Sequence, residues 1–278
     1  MEVFFGLDRY QNQECARICK DSYPIFGVEL FCFLGEEKRE RDLVFDPFSA
    51  DHYLRRQSRD YLYMVLDVAT KFGAVHLQLD GNDGFKGKPR DNVNAKKERT
   101  LTLKRKLINE ISQQYQILVL VENTVPITYS NTQAQIFSCS GHSLSDFRKG
   151  GLPLEYDVAH HAIALDVYGR ADEFGFPLTD DEKELARRVK EVGITQVILE
   201  ELDTLPEIYF THSSNASKFM PQVKTDLAPE DHPESLIDLE TVLPILMSKS
   251  QNITPEVYDE DFVARPNLRK WVKRLQEL

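Results

Sequence analysis

Short apolar segments alternate with amphipathic segments along most of the chain, and this alternation limits the fold more than any other feature of the sequence. Eight segments have the length and apolar content of buried strands: 1–8, 26–33, 42–48, 74–80, 117–123, 152–158, 207–213 and 253–259. Helical patterns lie between most of them, at 11–20, 51–72, 95–115, 130–150 in part, 180–202 and 235–248, and a last helix is predicted at 264–277. Strands that alternate with helices pair in parallel through crossover connections.

Eight such units in 278 residues predict an α/β fold, namely a single (β/α)8 TIM barrel that spans residues 1–278 as one domain. An open, doubly wound sheet that binds a dinucleotide would carry a Gly-rich turn after its first strand. The segment "GLDRYQNQE" at that point contains no GxGxxG, so a dinucleotide-binding fold is not favoured.

Polar residues stand at the carboxyl ends of the predicted strands, where the catalytic groups of such barrels lie. They are Asp8, Glu29, Asp46, Asp80, Glu122 with Asn123, Asp157 with His160, His212, and Glu256 with Asp259. A carboxylate is expensive at the end of a strand that is buried on both faces. The last four strand ends carry Glu, Asp, His and Glu in order, and these groups can satisfy one another around one divalent cation. Mixed oxygen and nitrogen ligation suits Mn²⁺, Mg²⁺, Co²⁺ or Zn²⁺.

Several of these residues also have a purely structural interpretation. Asp157 is placed to cap the following helix, the commonest role of an Asp after a strand. His161 is expected to be structural, because one of two adjacent histidines must point away from a site. His76 and His142 are polar residues that their neighbours can satisfy. Glu122 has few structural explanations, because it ends the aliphatic run "ILVLV".

The charge of the chain is unevenly distributed. The net charge of −11 argues against non-specific binding to nucleic acid, yet residues 86–106 hold nine Lys or Arg and two acids. That segment therefore carries +7 and the remainder −18. It is either the solvated face of a helix or a loop that faces phosphates. No apolar run approaches the roughly 20 residues that span a bilayer, and no signal peptide is recognised, so a cytoplasmic protein is expected.

Five segments resemble the xylose-isomerase-like barrel superfamily, which includes metal-dependent sugar isomerases and epimerases, endonuclease IV and the ultraviolet-damage endonucleases. They are "VLVENT" (119–124), "EYDVAHHAI" (155–163), "IYFTHSS" (208–214), "DHPESLIDLETVLPIL" (231–246) and "ITPEV" (253–257). The resemblance implies one divalent metal ion. Its implied ligands are Glu122, Asp157, His212 and Glu256.

The sequence departs from the endonucleases of this superfamily at two strand ends. Those enzymes resemble one another in two further histidines that help to build a three-metal cluster, where this chain has Asp46 in "LVFDPFS" and Leu79 or Asp80 in "LQLDG". His232 is similar to a later histidine of the endonucleases, but Glu230 stands two residues before it in place of Asp. The ligands for one ion are present and the extended cluster is broken, which favours the sugar-isomerase type.

The resemblance implies a divalent-metal-dependent sugar or sugar phosphate isomerase or epimerase that acts on a small sugar-like substrate. Glu122 and Glu256 would be catalytic as well as ligands, exchanging a proton at the carbon between them. The expected substrate contacts are His160, His76, Asp46 and His232. Two alternatives remain open. One is a metal-dependent endonuclease on abasic or ultraviolet-damaged DNA, favoured by "HH" and "THSS", and the other is a catalytically degenerate barrel that binds a ligand.

Overall fold

A parallel sheet of seven strands, with helices in the connections, forms the centre of the molecule. The structure is a computed structural model. It describes residues 2–4, 9–22, 27–30, 33–34, 43–44, 47, 52–80, 93–125, 128–130, 133–135, 143–174, 177–218, 234–256 and 265–277. None of the described helices is long and apolar enough to cross a membrane.

The elements are numbered in chain order. The strands are β1 (Glu2–Phe4), β2 (Gly27–Leu30), β3 (Phe33–Leu34), β4 (Leu43–Val44), β5 (His76–Asp80), β6 (Leu118–Glu122), β7 (Thr128–Ser130), β8 (Gln133–Gln135), β9 (Leu154–Asp157), β10 (Ile208–Ser213) and β11 (Ser250–Pro255). The helices are α1 (Arg9–Ser22), α2 (His52–Phe72), α3 (Val93–Tyr115), α4 (Leu144–Gly150), α5 (Val158–Gly169), α6 (Ala171–Phe174), α7 (Asp180–Val192), α8 (Ile194–Asp203), α9 (Leu239–Lys249) and α10 (Pro266–Glu277).

The strand order of the main sheet is β1-β2-β5-β6-β9-β10-β11, and each neighbouring pair is parallel. Each strand therefore lies beside the next sheet strand along the chain. The sheet winds in one direction, as in a barrel, without the reversal of order found in a doubly wound fold. The predicted α/β class is confirmed, and seven of the eight predicted strands lie in this sheet.

The strand predicted at 42–48 is not part of the parallel sheet as described. Its residues Leu43–Val44 pair antiparallel with Phe33–Leu34, and β2 pairs directly with β5. Since β2 is hydrogen-bonded directly to β5, the described sheet leaves no place for a strand between them. The prediction of an eighth sheet strand here was wrong.

The single helix predicted at 180–202 is two helices, α7 and α8, that meet at Gly193. This residue has φ +85° and ψ 163°, a backbone conformation that residues with a Cβ rarely adopt. Its N–H donates to the Val189 carbonyl at the end of α7, and its own carbonyl accepts from Val197 N in α8. Glycine at this position therefore ends one helix and starts the next.

Alternation along the strands separates an apolar outer face from a polar inner face. On β6, Val119 and Val121 pack into a core with α2 and α3, so Leu120 and Glu122 lie on the opposite face. On β9, Tyr156 packs into a second core with α5 and α8, so Asp157 lies on the inner face as well. Neighbouring parallel strands therefore present their inner residues to the same interior.

Candidate metal centre

The four predicted metal ligands lie at the same edge of the sheet. Glu122 ends β6, Asp157 ends β9, His212 is the fifth residue of β10, and Glu256 directly follows β11. In the register, Asp157 lies beside His212. The backbone N–H of Glu256 donates to the carbonyl of Ser213 at 3.1 Å. Parallel pairing thus brings together carboxyl ends that are far apart in sequence.

Their side chains converge on Nδ1 of His212. This atom lies 3.0 Å from Glu122 Oε1 and 3.8 Å from both Asp157 Oδ2 and Glu256 Oε2. The ligand atoms of Asp157, His212 and Glu256 all lie within 4.8 Å of one another, and so do those of Glu122, Asp157 and His160. Three carboxylates and an imidazole therefore surround a common point.

Burial gives this group a closed side and an open side. The side chains of Glu122, Asp157 and His212 are 6%, 1% and 2% exposed, whereas that of Glu256 is 33% exposed. A molecule entering from solvent would therefore meet Glu256 first.

The electrostatics of Asp157 indicate a site for positive charge. Burial raises the pKa of Asp157, and the nearby Glu256 carboxylate raises it further. His160 and His212, together with the backbone N–H of His160, act in the opposite direction. Buried carboxylates this close together repel one another unless protons or a cation lie between them. Three carboxylates and one imidazole form a donor set that suits a divalent cation such as Mn²⁺, Co²⁺ or Zn²⁺.

Asp157 caps helix α5 and also lies in the cluster of predicted metal ligands. Its Oδ1 accepts a hydrogen bond of 2.7 Å from the backbone N–H of His160, which makes it the N-cap of α5. Its Oδ2 faces His212. The two oxygens of one carboxylate thus divide between a helix cap and the group at the strand ends.

Asn123 and His160 lie beside Asp157 at the carboxyl ends of the strands. Asn123 bonds Asp157 twice, since its Nδ2 donates to the Asp157 carbonyl and its Oδ1 accepts from the Asp157 N–H, both at 2.8 Å. Nδ1 of His160 lies 3.1 Å from the carbonyl oxygen of Asn123 and 3.5 Å from Glu122 Oε1. A carbonyl can only accept, so Nδ1 carries the proton in that hydrogen bond. His160 therefore lies beside the group as a contact rather than as a ligand through Nδ1.

Two fully buried residues beneath the group were missed in the sequence. Gln78 on β5 donates from Nε2 to Glu122 Oε2 at 2.8 Å. Glu155 on β9 places Oε1 3.2 Å from Nε2 of His212. The sequence position of Glu155 could have indicated this. It stands two residues before Asp157 on the same strand, so both side chains point to the same face of the sheet.

His76 is not brought to this group, which corrects its expected substrate contact. It begins β5, four residues before Asp80, and Asp80 pairs with Glu122, so His76 lies about 13 Å from the rim along the strand. Its ring packs 4.8 Å from that of Phe210 and occupies the space above Gly27, where a Cβ would lie 2.1 Å from Nε2. His76 is a buried core residue.

Other predicted residues lie elsewhere or outside the described part of the chain. Asp46, His142 and His232 are outside the described residues, as is the side chain of Asp80. His161 faces away from the group, as expected, with Nδ1 2.8 Å from the Tyr156 hydroxyl and Nε2 2.9 Å from Glu201 Oε2.

Part of the basic segment 86–106 forms the first turns of α3, which begins at Val93. Of its described basic side chains, Arg99, Arg105 and Lys106 are exposed and Lys104 is buried. Arg105 donates to the carbonyl oxygens of Lys149 and Gly150 at the end of α4. This part of the segment thus packs beside α4.

Comparison with known proteins identifies the fold through structure rather than sequence. No protein-family model matches the chain, and no curated protein matches it in sequence. A D-tagatose 3-epimerase-like protein is similar over 99% of this chain and 89% of its own, with 13% identity and a TM-score of 0.58. The IolI protein with a bound zinc atom is similar over 96% and 79%, with 11% identity and a TM-score of 0.54.

A third similar structure is that of D-allulose 3-epimerase from Methylomonas sp. in complex with D-allulose. It is similar over 97% of this chain and 78% of its own, with 13% identity and a TM-score of 0.53. The predicted TIM-barrel class is thereby confirmed, and the chain has the fold seen in these sugar epimerases.

Proposed function

We propose that the protein is a divalent-metal-dependent isomerase or epimerase of a sugar or sugar phosphate. The observation that carries this proposal is the convergence of Glu122, Asp157 and Glu256 on Nδ1 of His212. The fold similarity to sugar epimerases, one of them in complex with D-allulose, supports the substrate class.

Glu122, Asp157, His212 and Glu256 would hold one divalent ion. When bound, such an ion acts as a Lewis acid toward a carbonyl and an adjacent hydroxyl of a sugar. Zinc is a suitable first probe, because the similar IolI structure contains a zinc atom. Mn²⁺, Mg²⁺ and Co²⁺ suit the same mixture of oxygen and nitrogen donors.

The two glutamates would transfer the proton. One carboxylate removes a proton from the carbon next to the carbonyl, and the other returns a proton to the opposite face of that carbon. Glu122 is buried and oriented by Gln78, whereas Glu256 lies on the open side. His160 would contact a substrate hydroxyl from the rim, since its Nδ1 is turned to the Asn123 carbonyl.

Glutamate variants test both the proposed metal ligands and the proposed proton transfer. Wild-type protein should bind close to one equivalent of Zn²⁺, and Glu122→Gln and Glu256→Gln should each weaken binding roughly tenfold or more, about 1.4 kcal/mol. Removing one carboxylate charge lowers the attraction for the ion while nearly keeping the side-chain shape. Affinity is measured by competition with a chelator. Turnover is measured by NMR as deuterium incorporation next to the carbonyl of D-allulose or D-tagatose in D2O.

Glu207→Gln is the matched control, because it makes the same change in charge at an exposed residue that precedes β10. It should leave zinc affinity and turnover unchanged. Unchanged zinc affinity in Glu122→Gln would show that Glu122 is structural. Three bound ions per chain would promote the endonuclease hypothesis, and none would promote the degenerate barrel.

A further inference from the structure

The C-terminal helix α10 is joined to the sheet at a strand end next to the candidate metal centre. Its buried Trp271 lies in the core formed with α5 and α8. The indole Nε1–H of Trp271 donates a hydrogen bond of 3.0 Å to the hydroxyl of Ser213, the last residue of β10. Ser213 directly follows the predicted ligand His212, and alternation turns the two side chains to opposite faces of the sheet. Trp271 therefore contacts this strand end from the outer face.

Ser213 also contacts the backbone of Glu256. Its carbonyl accepts from the Glu256 N–H at 3.1 Å, and it pairs in register with Pro255, the last residue of β11. Glu256 follows β11 directly, and its side chain is the most exposed of the four predicted ligands. One residue thus accepts from the indole through its hydroxyl and from Glu256 through its carbonyl.

We propose that Trp271 is a positioning residue that, through Ser213, fixes the backbone of Glu256 at the candidate metal centre. This inference rests on the metal site of the proposed function. The ends of strands open locally at a low cost in free energy, and a hydrogen bond that ties such an end to a packed helix opposes this opening. Trp271 thereby keeps Glu256 where its carboxylate faces Nδ1 of His212.

Apolar packing alone does not account for an indole at this position. An indole N–H can only donate, and a buried indole usually has a hydrogen-bond partner. A phenylalanine would fill much of the same space in the core without burying a polar atom. The donor of Trp271 instead reaches the residue that directly follows His212. Trp271 is also the only tryptophan of the chain, so its indole N–H gives a single NMR signal.

Two variants break this contact from opposite sides. Ser213→Ala removes the acceptor, and Trp271→Phe removes the donor. In chelator-treated protein, we expect each change to speed hydrogen exchange of the Glu256 amide about threefold to tenfold, as for the loss of one neutral hydrogen bond. The rate is measured by NMR relative to the amides of α3, which packs in the other core and reports any general loss of protection.

Thr211→Val is the matched control, because it removes a hydroxyl from the same face of β10 two residues earlier. That hydroxyl lies 2.7 Å from the hydroxyl of Ser250 at the start of β11, away from α10. The control should leave the relative exchange rate of the Glu256 amide unchanged. A wild-type rate in either folded variant, Ser213→Ala or Trp271→Phe, would overturn the proposal.

Zinc binding supplies a second readout. Ser213→Ala and Trp271→Phe should each weaken zinc affinity about threefold to tenfold, and Thr211→Val should not change it. Coupling between two sites is reciprocal, so saturating Zn²⁺ should slow exchange of the Trp271 indole N–H in wild type by a similar factor, again relative to α3. An unchanged relative rate in wild type would overturn the proposal even if both variants failed to fold.

Failure of the proposed function leaves a different pattern. If the exchange rates and zinc affinities follow the expected ranking but no sugar exchanges deuterium, the positioning role stands and the isomerase assignment fails. If wild type binds no divalent ion, the proposed function fails, and the exchange of the Glu256 amide in metal-free protein still decides the positioning role.

Discussion

At the scale of single residues, the two carboxylate oxygens of Asp157 have different surroundings. One of its oxygens caps α5 and the other faces His212. A cap and a ligand were alternatives at the level of sequence, because both roles favour an Asp directly after a strand. The structure removes the conflict, since a carboxylate has two oxygens and the start of the helix lies at the rim of the site.

The raised pKa of Asp157 predicts a pH dependence for the metal-free protein. Its folded pKa lies above the ordinary value of 3.8, mainly because the group is buried. The protonated form is therefore favoured in the folded state. The protonated Asp157 side chain therefore adds to the free energy of unfolding. This contribution is fully present below pH 3.8 and is lost as the pH rises through the folded pKa. Urea unfolding of chelator-treated wild type and Asp157→Asn, at a series of pH values, measures this contribution as the difference between them.

We expect wild type to lose stability relative to Asp157→Asn as the pH rises in the presence of chelator. Saturating Zn²⁺ should reverse the trend, because a bound cation favours the ionised carboxylate. A difference between the two proteins that does not vary with pH in chelator would contradict the account of Asp157.

At the scale of elements, most helices and strands could be predicted from local sequence patterns, but some could not. β6 and β9 were predicted within a few residues, since "ILVLVEN" and "LPLEYDV" are apolar runs that end in a carboxylate. The segment 42–48 was misassigned, because an apolar run does not show which strand it pairs with, and its residues Leu43–Val44 pair antiparallel with Phe33–Leu34. The break at Gly193 was missed because helical periodicity continues across it.

Gly193 carries a prediction of its own. Gly193→Ala should lower the free energy of unfolding by about 1–3 kcal/mol, because a Cβ is disfavoured at φ +85°. A Cβ there would meet no heavy atom within 4 Å, so the cost is conformational rather than steric crowding against neighbours. Chemical denaturation measures it.

Lys190→Ala is the control for this experiment, since it introduces alanine at an exposed position of the same helix α7. Zinc affinity should be unaffected by either change. Equal stability of Gly193→Ala and wild type would mean that the junction of α7 and α8 relaxes to another conformation.

At the scale of the whole molecule, the distribution of charge bears on whether the protein acts on a sugar or on nucleic acid. The net charge is −11, and the basic residues 86–106 are its main positive segment. The part of this segment in α3 packs beside α4 through Arg105. Proteins that bind DNA through phosphates need several cations in one groove beside the site.

We therefore expect no tight binding to duplex DNA that carries an abasic site or a pyrimidine photoproduct. Arg99→Glu/Lys106→Glu, which reverses two exposed charges on α3, should leave zinc affinity and sugar turnover unchanged. DNA affinity across a salt series, with cleavage assayed on the same duplexes, provides the measurement. Sub-micromolar binding that falls steeply with salt, is lost in the double variant and leads to cleavage beside the lesion would promote the endonuclease hypothesis.

The sequence alone was sufficient for the α/β alternation and for the residue types at the strand ends, because both depend on local periodicity and on the cost of burying charge. Glu122, Asp157, His212 and Glu256 were predicted as metal ligands from their positions after apolar runs and from a family resemblance. Only the tertiary structure decided which groups meet. Gln78 meets Glu122, 44 residues later in the chain, and Glu155 meets His212, 57 residues later. No local pattern encodes such distances, because the register and tilt of parallel strands arise from the packing of the whole sheet.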